Sequence, residues 1–200
     1  MPVIVFDIGN VLLRWDPRNL YRKLFADGSQ MEWFLENVCD GQWNEAQDKG
    51  RRWADAVAER TRVFPQWETE IRAYDERWIE TLDGEIFENV AILRKLKDAG
   101  VPTFAITNFS GEKFAVAKSH HDFFKLFDGI VVSGYEGLIK PDPRIFQLFL
   151  KRYGYLAKDC VFIDDNEQNV EAARKIGMQV IHYVESLNLS AALSKYDIAL

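Results

Sequence analysis

Val3-Ile4-Val5-Phe6-Asp7-Ile8-Gly9-Asn10 opens the chain with a short apolar run, rich in β-branched residues, that stops at an acid and a glycine. Apolar residues at every position, rather than at alternate ones, are what a strand needs when both of its faces are covered. The pattern returns at Pro102 to Ile106, Gly129 to Val132, Cys160 to Ile163 and Gln179 to Ile181, so five buried strands are expected. Between them lie segments with helical spacing: Glu88 to Ala99 before Gly100, Pro143 to Tyr153 before Gly154, and Glu167 to Ile176 before Gly177. Glycine just past the last periodic residue is a helix stop. Alternation of strand and helix makes the fold class α/β, a parallel sheet with helices on both faces. Ligands of such sheets bind beyond the carboxyl ends of the strands.

The stretch from Trp15 to Gly84 breaks this rhythm, with four of the six tryptophans between Trp33 and Trp67 and no strand run. Its apolar positions, for example Trp53, Val57, Thr61 and Phe64, step by three or four as on an amphipathic helix. A small all-helical insertion after the first strand is therefore expected. It would occupy residues 15–84, with 1–14 and 85–200 forming the core.

At 200 residues the chain suits one α/β core with a modest insertion. Hydrophobic residues make up 48% and charged residues 28%, which supports a packed core and argues against disorder. A formal charge of −6 offers no general field for nucleic acid or an anionic membrane, so neither is an expected partner. An anionic ligand must be held by a locally positive site. Cys39 and Cys160 are the only cysteines and fit no zinc or disulfide pattern, which points to a reducing compartment, the cytoplasm. The apolar opening is broken by Asp7, Gly9 and Asn10 and lacks a basic leader, so it does not read as a signal peptide. No apolar run approaches the ~18 residues of a membrane span. A monomer or homodimer is expected.

Four polar clusters fall at or beyond the carboxyl ends of these strands: Asp7, Thr107-Asn108, Lys140 and Asp164-Asp165. A single Asp or Thr there is most often a helix cap or turn residue. Four at one edge of one sheet make a site. Three carboxylates on one rim repel unless a cation joins them, and all-oxygen ligands suit a hard ion such as Mg2+. A carboxylate beside that ion can attack an electrophile, and Asp7 is the candidate nucleophile because it ends the central strand. Thr107 and Asn108 can hydrogen-bond a phosphoryl or carboxylate group. Lys140, fixed between Ile139 and Pro141 just before a helix, would neutralise developing charge.

Phe6-Asp7-Ile8-Gly9-Asn10-Val11-Leu12, Ile106-Thr107-Asn108-Phe109-Ser110, Gly137-Leu138-Ile139-Lys140-Pro141-Asp142 and Phe162-Ile163-Asp164-Asp165-Asn166 resemble, in order, the four motifs of the haloacid dehalogenase-like superfamily. The resemblance spans nearly the whole chain. It implies a Rossmann-like core and a helical cap, with Asp7 as nucleophile, Thr107 and Lys140 on the phosphoryl group, and Mg2+ held by Asp7, the Gly9 carbonyl and Asp164 or Asp165. It also implies hydrolysis of a small phosphorylated metabolite such as a sugar phosphate.

One position departs from the pattern. Phosphatases of the superfamily usually carry a second Asp two residues after the nucleophile, as general acid and base, and here that position is Gly9. A branch with this Asp-x-Gly-Asn-Val sequence looks similar and contains sugar phosphatases. Turnover should then depend steeply on leaving-group pKa, unless the substrate or a cap residue such as Asp48 supplies the proton. The name-giving dehalogenases are the enzymatic alternative; they need no metal, usually lack the paired acids kept here as Asp164-Asp165, and tend to carry Tyr where this chain has Phe146. A catalytically weak metal- and phosphate-binding protein is the third reading. In the cap, Trp43, Asn44, Asp48 and Arg52 are expected to face the entrance and select substrate. Trp33, Trp53, Trp67 and Trp78 are expected to pack the cap, and His120-His121 to lie in a polar surface connection without acidic company.

Overall fold

The computed structural model describes residues 2–196 and 198. Strands β1 (Val3–Phe6), β4 (Thr103–Thr107), β5 (Gly129–Val132), β6 (Cys160–Asp164) and β7 (Gln179–His182) form a five-stranded sheet in the order β5-β4-β1-β6-β7. Every neighbouring pair in it is parallel. The first strand is central, and its side chains divide cleanly between the faces. Val3 and Val5 pack with Ile145, Phe146 and Phe149 on one side, while Ile4 and Phe6 pack with Leu93 and Phe123 on the other. Burial on both faces is why β1 is apolar at each position.

Helices α6 (Phe87–Asp98), α7 (Gly111–His120), α9 (Pro143–Tyr153) and α10 (Glu167–Lys175) connect the strands, with a single turn, α8 (Ser133–Glu136), after β5. A short α11 (Leu189–Leu193) follows β7. The expected helices over 88–99, 143–153 and 167–176 are present with ends within a residue. Helix α7 was not expected, because its buried side chains are only Lys113, Phe114 and Ala117. His120 ends that helix rather than lying in a connection, and His121 Nδ1 lies 3.0 Å from Glu85 Oε1, so the pair does have an acidic neighbour.

The segment after the first strand is helical, as α1 (Arg18–Tyr21), α2 (Gly28–Asn37), α3 (Gly41–Asp48), α4 (Trp53–Val63) and α5 (Glu68–Glu76). Asp27 and Asp40 cap α2 and α3 through the Ser29 and Trp43 amides, each worth ~1 kcal/mol. Tyr21, Trp43, Trp53 and Tyr74 form its aromatic centre, with Trp53 stacked on Tyr74 at 5.3 Å and Trp43 edge-on to Trp53 at 5.5 Å. Trp43 is therefore a core residue and not an entrance residue, and Trp33, at 47% exposure, packs only partly.

Contrary to the sequence reading, the segment is bounded by strands. A two-stranded antiparallel ribbon joins β2 (Leu13–Trp15) to β3 (Leu82–Glu85), so the chain leaves and returns at one point. Leu82-Asp83-Gly84-Glu85 is short and largely polar, with Asp83 and Gly84 exposed, which hides it from any hydrophobic pattern. Among the described residues no helix is long and apolar enough to cross a membrane.

Candidate active site

Parallel strands end on the same edge, and that edge collects the polar residues. Asp7 follows β1, Thr107 ends β4, and Asp164 ends β6 with Asp165 next to it. Asp7, Asp164 and Asp165 each bring a carboxylate oxygen within 4.8 Å of the others. Lys140 reaches in from the loop before α9 with its side chain fully buried. Its ammonium lies 2.8 Å from Asp7 Oδ1 and 2.7 Å from Asp164 Oδ2.

One ammonium against three carboxylates leaves the cluster negative. Burial pushes the Asp7 carboxyl up to about 7, against the pull of Lys140 and with Asp164 and Asp165 adding to the rise. Burial opposes the charge on Lys140, yet Asp164 and Asp7 hold its ammonium above the ordinary range. Asp165 is also raised, by burial and then by Asp164. A set of hard oxygen ligands this close, with excess negative charge, fits a divalent cation of the magnesium type.

Both Asp164 oxygens accept: Oδ1 from Asn166 N–H and Asn169 Nδ2, Oδ2 from the Lys140 ammonium and Asn169 Nδ2. Asp165 has no ion-pair partner among the described residues and lines the pocket, as Gly9 does. Thr107 Oγ1 is buried without a hydrogen-bond partner. A hydroxyl buried and unpaired is costly; Thr107 ends the strand next to β1 and does not itself line the pocket, so its hydroxyl is a candidate oxyanion donor by its place at this edge alone. Asn108 lines the same pocket, but its amide is engaged elsewhere. It donates to Lys140 O at 2.9 Å and accepts from Lys140 N at 2.8 Å, so it holds the Lys140 backbone.

A pocket of about 240 Å3 contains Asp7, Gly9, Asn108 and Asp165 together with Asn44 and Asp48 from the helical segment. Arg52 is exposed and does not line it. Asp48 and Trp53 join that segment to the loop after β4: Ser110 N–H donates to Asp48 Oδ1 at 2.9 Å and Trp53 Nε1 donates to Ser110 Oγ at 2.8 Å. Ser110 and Asn169 were missed by the sequence reading. Asn169 stands five residues after Asp164 in the first turns of α10, so helical spacing could have found it, whereas the Ser110 contacts are purely tertiary.

Close backbone approach holds α8 against the loop after β4. A Cβ on Gly134 would overlap Gly111 N and lie 2.8 Å from Phe109 O. Gly134→Ala should therefore cost on the order of 1–3 kcal/mol, as overpacking does, and should lower activity by displacing the loop that carries Asn108 and Ser110. Urea denaturation checks the first part; an unchanged midpoint would mean that the loop yields without cost.

The family of haloacid dehalogenase-like hydrolases matches residues 1–177. The sesquiterpene phosphatase astK of Aspergillus oryzae is 37% identical over 97 residues, covering 48% of this chain and 50% of that one. An (S)-2-haloacid dehalogenase of Pseudomonas fluorescens is 30% identical over 88 residues, covering 44% of this chain and 39% of the other. The chain thus spans about half the length, or less, of these curated relatives. In fold it is similar to the enzyme BT-2542 of Bacteroides thetaiotaomicron in complex with magnesium and inorganic phosphate, with a TM-score of 0.77 at 17% identity over 96% of this chain and 98% of that one.

Proposed function

From the premise that the chain belongs to the haloacid dehalogenase-like hydrolase family, we propose that it is a magnesium-dependent phosphatase of a small phosphorylated metabolite such as a sugar phosphate. The observation that carries this reading is the cluster of Asp7, Asp164 and Asp165 around Lys140, beside the unpaired hydroxyl of Thr107. A carboxylic ester intermediate calls for no cation, whereas the extra acids, Asp164 and Asp165, suit one beside a phosphoryl group.

Asp7 attacks phosphorus and forms an aspartyl-phosphate, and water then cleaves it to return the carboxylate. Thr107 donates to a phosphoryl oxygen, while Lys140 holds the charge that develops on the group and keeps the Asp7 oxygen aimed. Mg2+, held by Asp7, the Gly9 carbonyl and Asp164 or Asp165, would neutralise the phosphoryl oxygens. The amides of Asn44, Asn166 and Asn169 line the pocket and suit a neutral, hydroxyl-rich leaving group. Two free, buried cysteines support a cytoplasmic setting.

Activity towards an aryl phosphate should appear with Mg2+, vanish in excess EDTA and return when Mg2+ is restored. Metal-independent release of chloride from 2-chloropropionate, with no phosphatase activity, would make the dehalogenase reading the right one. Absence of both across a broad substrate screen would favour a binding protein.

A further inference from the structure

Gly9 leaves the reaction without the acid that should protonate the leaving oxygen, and the structure offers a replacement from the helical segment. We propose that Asp48 is the general acid and base of this site, donating its proton to the leaving-group oxygen and taking one back from the attacking water. The proposal rests on the phosphatase reading.

Asp48 stands where a leaving group can reach it. Beside the pocket that holds Asp7 lies a second cavity of about 480 Å3 between the helical segment and the sheet edge. The two share Trp15, Asn44, Asp48, Asn108, Asn166 and Asn169. A phosphoryl group seated on Asp7 has room to extend its leaving group across this shared wall, and Asp48 is the only one of the six that can gain and lose a proton near neutral pH.

The other titratable side chains of the Asp7 pocket are Asp7 itself, Asp165 and Lys113. Asp7 is the nucleophile, Asp165 belongs to the cation cluster, and the Lys113 ammonium is bound to the Asp75 carboxylate and carbonyl. Asp48 alone is uncommitted to a charge.

Its setting tolerates both protonation states. Among the described residues no Lys or Arg pairs with it. It is the last residue of α3, where the negative end of the helix dipole disfavours a carboxylate. Ser110 N–H anchors Oδ1, while Oδ2 faces the Asn44 amide at 3.1 Å. An amide can turn its nitrogen to a carboxylate or its oxygen to a carboxylic acid, so Asn44 serves either form. Glu45 on its own helix, Tyr74 on α5, and Glu112 and Lys113 on α7 are the charged or titratable groups near it. Burial, with Glu45 adding, pushes the Asp48 carboxyl up to about 7, with only the Ser110 amide opposing. A general acid works best when its pKa lies near the operating pH.

The protons and bonds balance. As the Asp7 oxygen bonds to phosphorus, the P–O bond to the leaving group breaks, its electron pair stays on that oxygen, and the Asp48 proton joins it. In the second half, water bonds to phosphorus, its proton passes to the Asp48 carboxylate, and the Asp7–phosphorus bond breaks. Asp48 ends protonated and Asp7 ends as a carboxylate.

Asp48→Asn keeps an oxygen for the Ser110 amide and removes only the proton. The experiment measures kcat/KM for an alkyl phosphate and for 2,4-dinitrophenyl phosphate, whose leaving group needs no acid, with Mg2+ in both cases. The loss on the alkyl ester should exceed that on the aryl ester by ~100-fold or more, the scale of a general acid. Gly9→Asp in the same chain should return alkyl activity, since a Cβ at Gly9 meets nothing within 4 Å. Equal losses on both esters, as from a displaced helix α3, or no loss on either, would overturn the proposal. A wild-type chain inactive on both esters would overturn the phosphatase reading and this proposal together.

Discussion

Asp7→Asn should lower turnover of any phosphate monoester by on the order of 10⁴-fold or more, the scale on which nucleophile deletions act, without lowering stability in metal-free buffer. The substitution removes the attacking oxygen's charge and little else. An Asn oxygen can still accept from the Ile8 amide, now at 2.7 Å from Asp7 Oδ1, and from the Lys140 ammonium at 2.8 Å. The stability sign follows from the raised carboxyl. Its ordinary value is 3.8 and burial lifts it to about 7, so within that window the folded chain keeps a proton that the unfolded chain has lost. Stability from this group therefore falls as pH rises through the window, and the cost is complete above it. Asn carries no such cost. At pH 8 in EDTA the variant should melt at or above the wild-type midpoint, while added Mg2+ should raise the wild-type midpoint more than the variant's. A marked fall in the variant's midpoint in EDTA would show that attraction to Lys140 outweighs burial. A phospho-enzyme trapped on wild-type protein and mapped to another residue would remove Asp7 from its role.

The fold was legible because its strands are buried on both faces. Val3–Phe6 and Cys160–Asp164 have no exposed position, so hydrophobicity alone marks them, and strict alternation with helices then fixes a parallel sheet. What stayed hidden has no such signature. Strand β3 is polar, helix α7 buries a lysine on its inner face, and Trp43 reads like any cap tryptophan until Trp53 and Tyr74 close around it. The site divides in the same way. Asp7, Thr107, Asp164 and Asp165 were visible because they terminate recognisable strands. The engagement of Asn108 with the Lys140 backbone joins residues 32 apart in sequence, and Asp48 meets Ser110 across 62, separations at which no local pattern survives.

Lys140→Ala should damage both chemistry and stability, and the two losses should respond differently to magnesium. Removing one donor that acts on the transition state raises the barrier by ~2–4 kcal/mol. The stability loss has a separate origin. Lys140 is fully buried between Asp7 and Asp164, and its loss leaves two buried carboxylates facing each other without a counter-charge. Breaking a buried pair from one side costs ~3–5 kcal/mol. Protonation of Asp7 relieves part of that repulsion, so the deficit should shrink as pH falls. A divalent cation can replace the missing positive charge, so Mg2+ should restore much of the lost melting temperature. It cannot restore a donor at the ammonium's position, so kcat should stay low at saturating Mg2+. Thermal midpoints with EDTA and with Mg2+, measured beside kcat for one aryl phosphate, separate the two effects. A kcat loss of less than about tenfold would place Lys140 outside the chemistry. Equal destabilisation with and without Mg2+ would show that the fully buried lysine stem matters more than its charge.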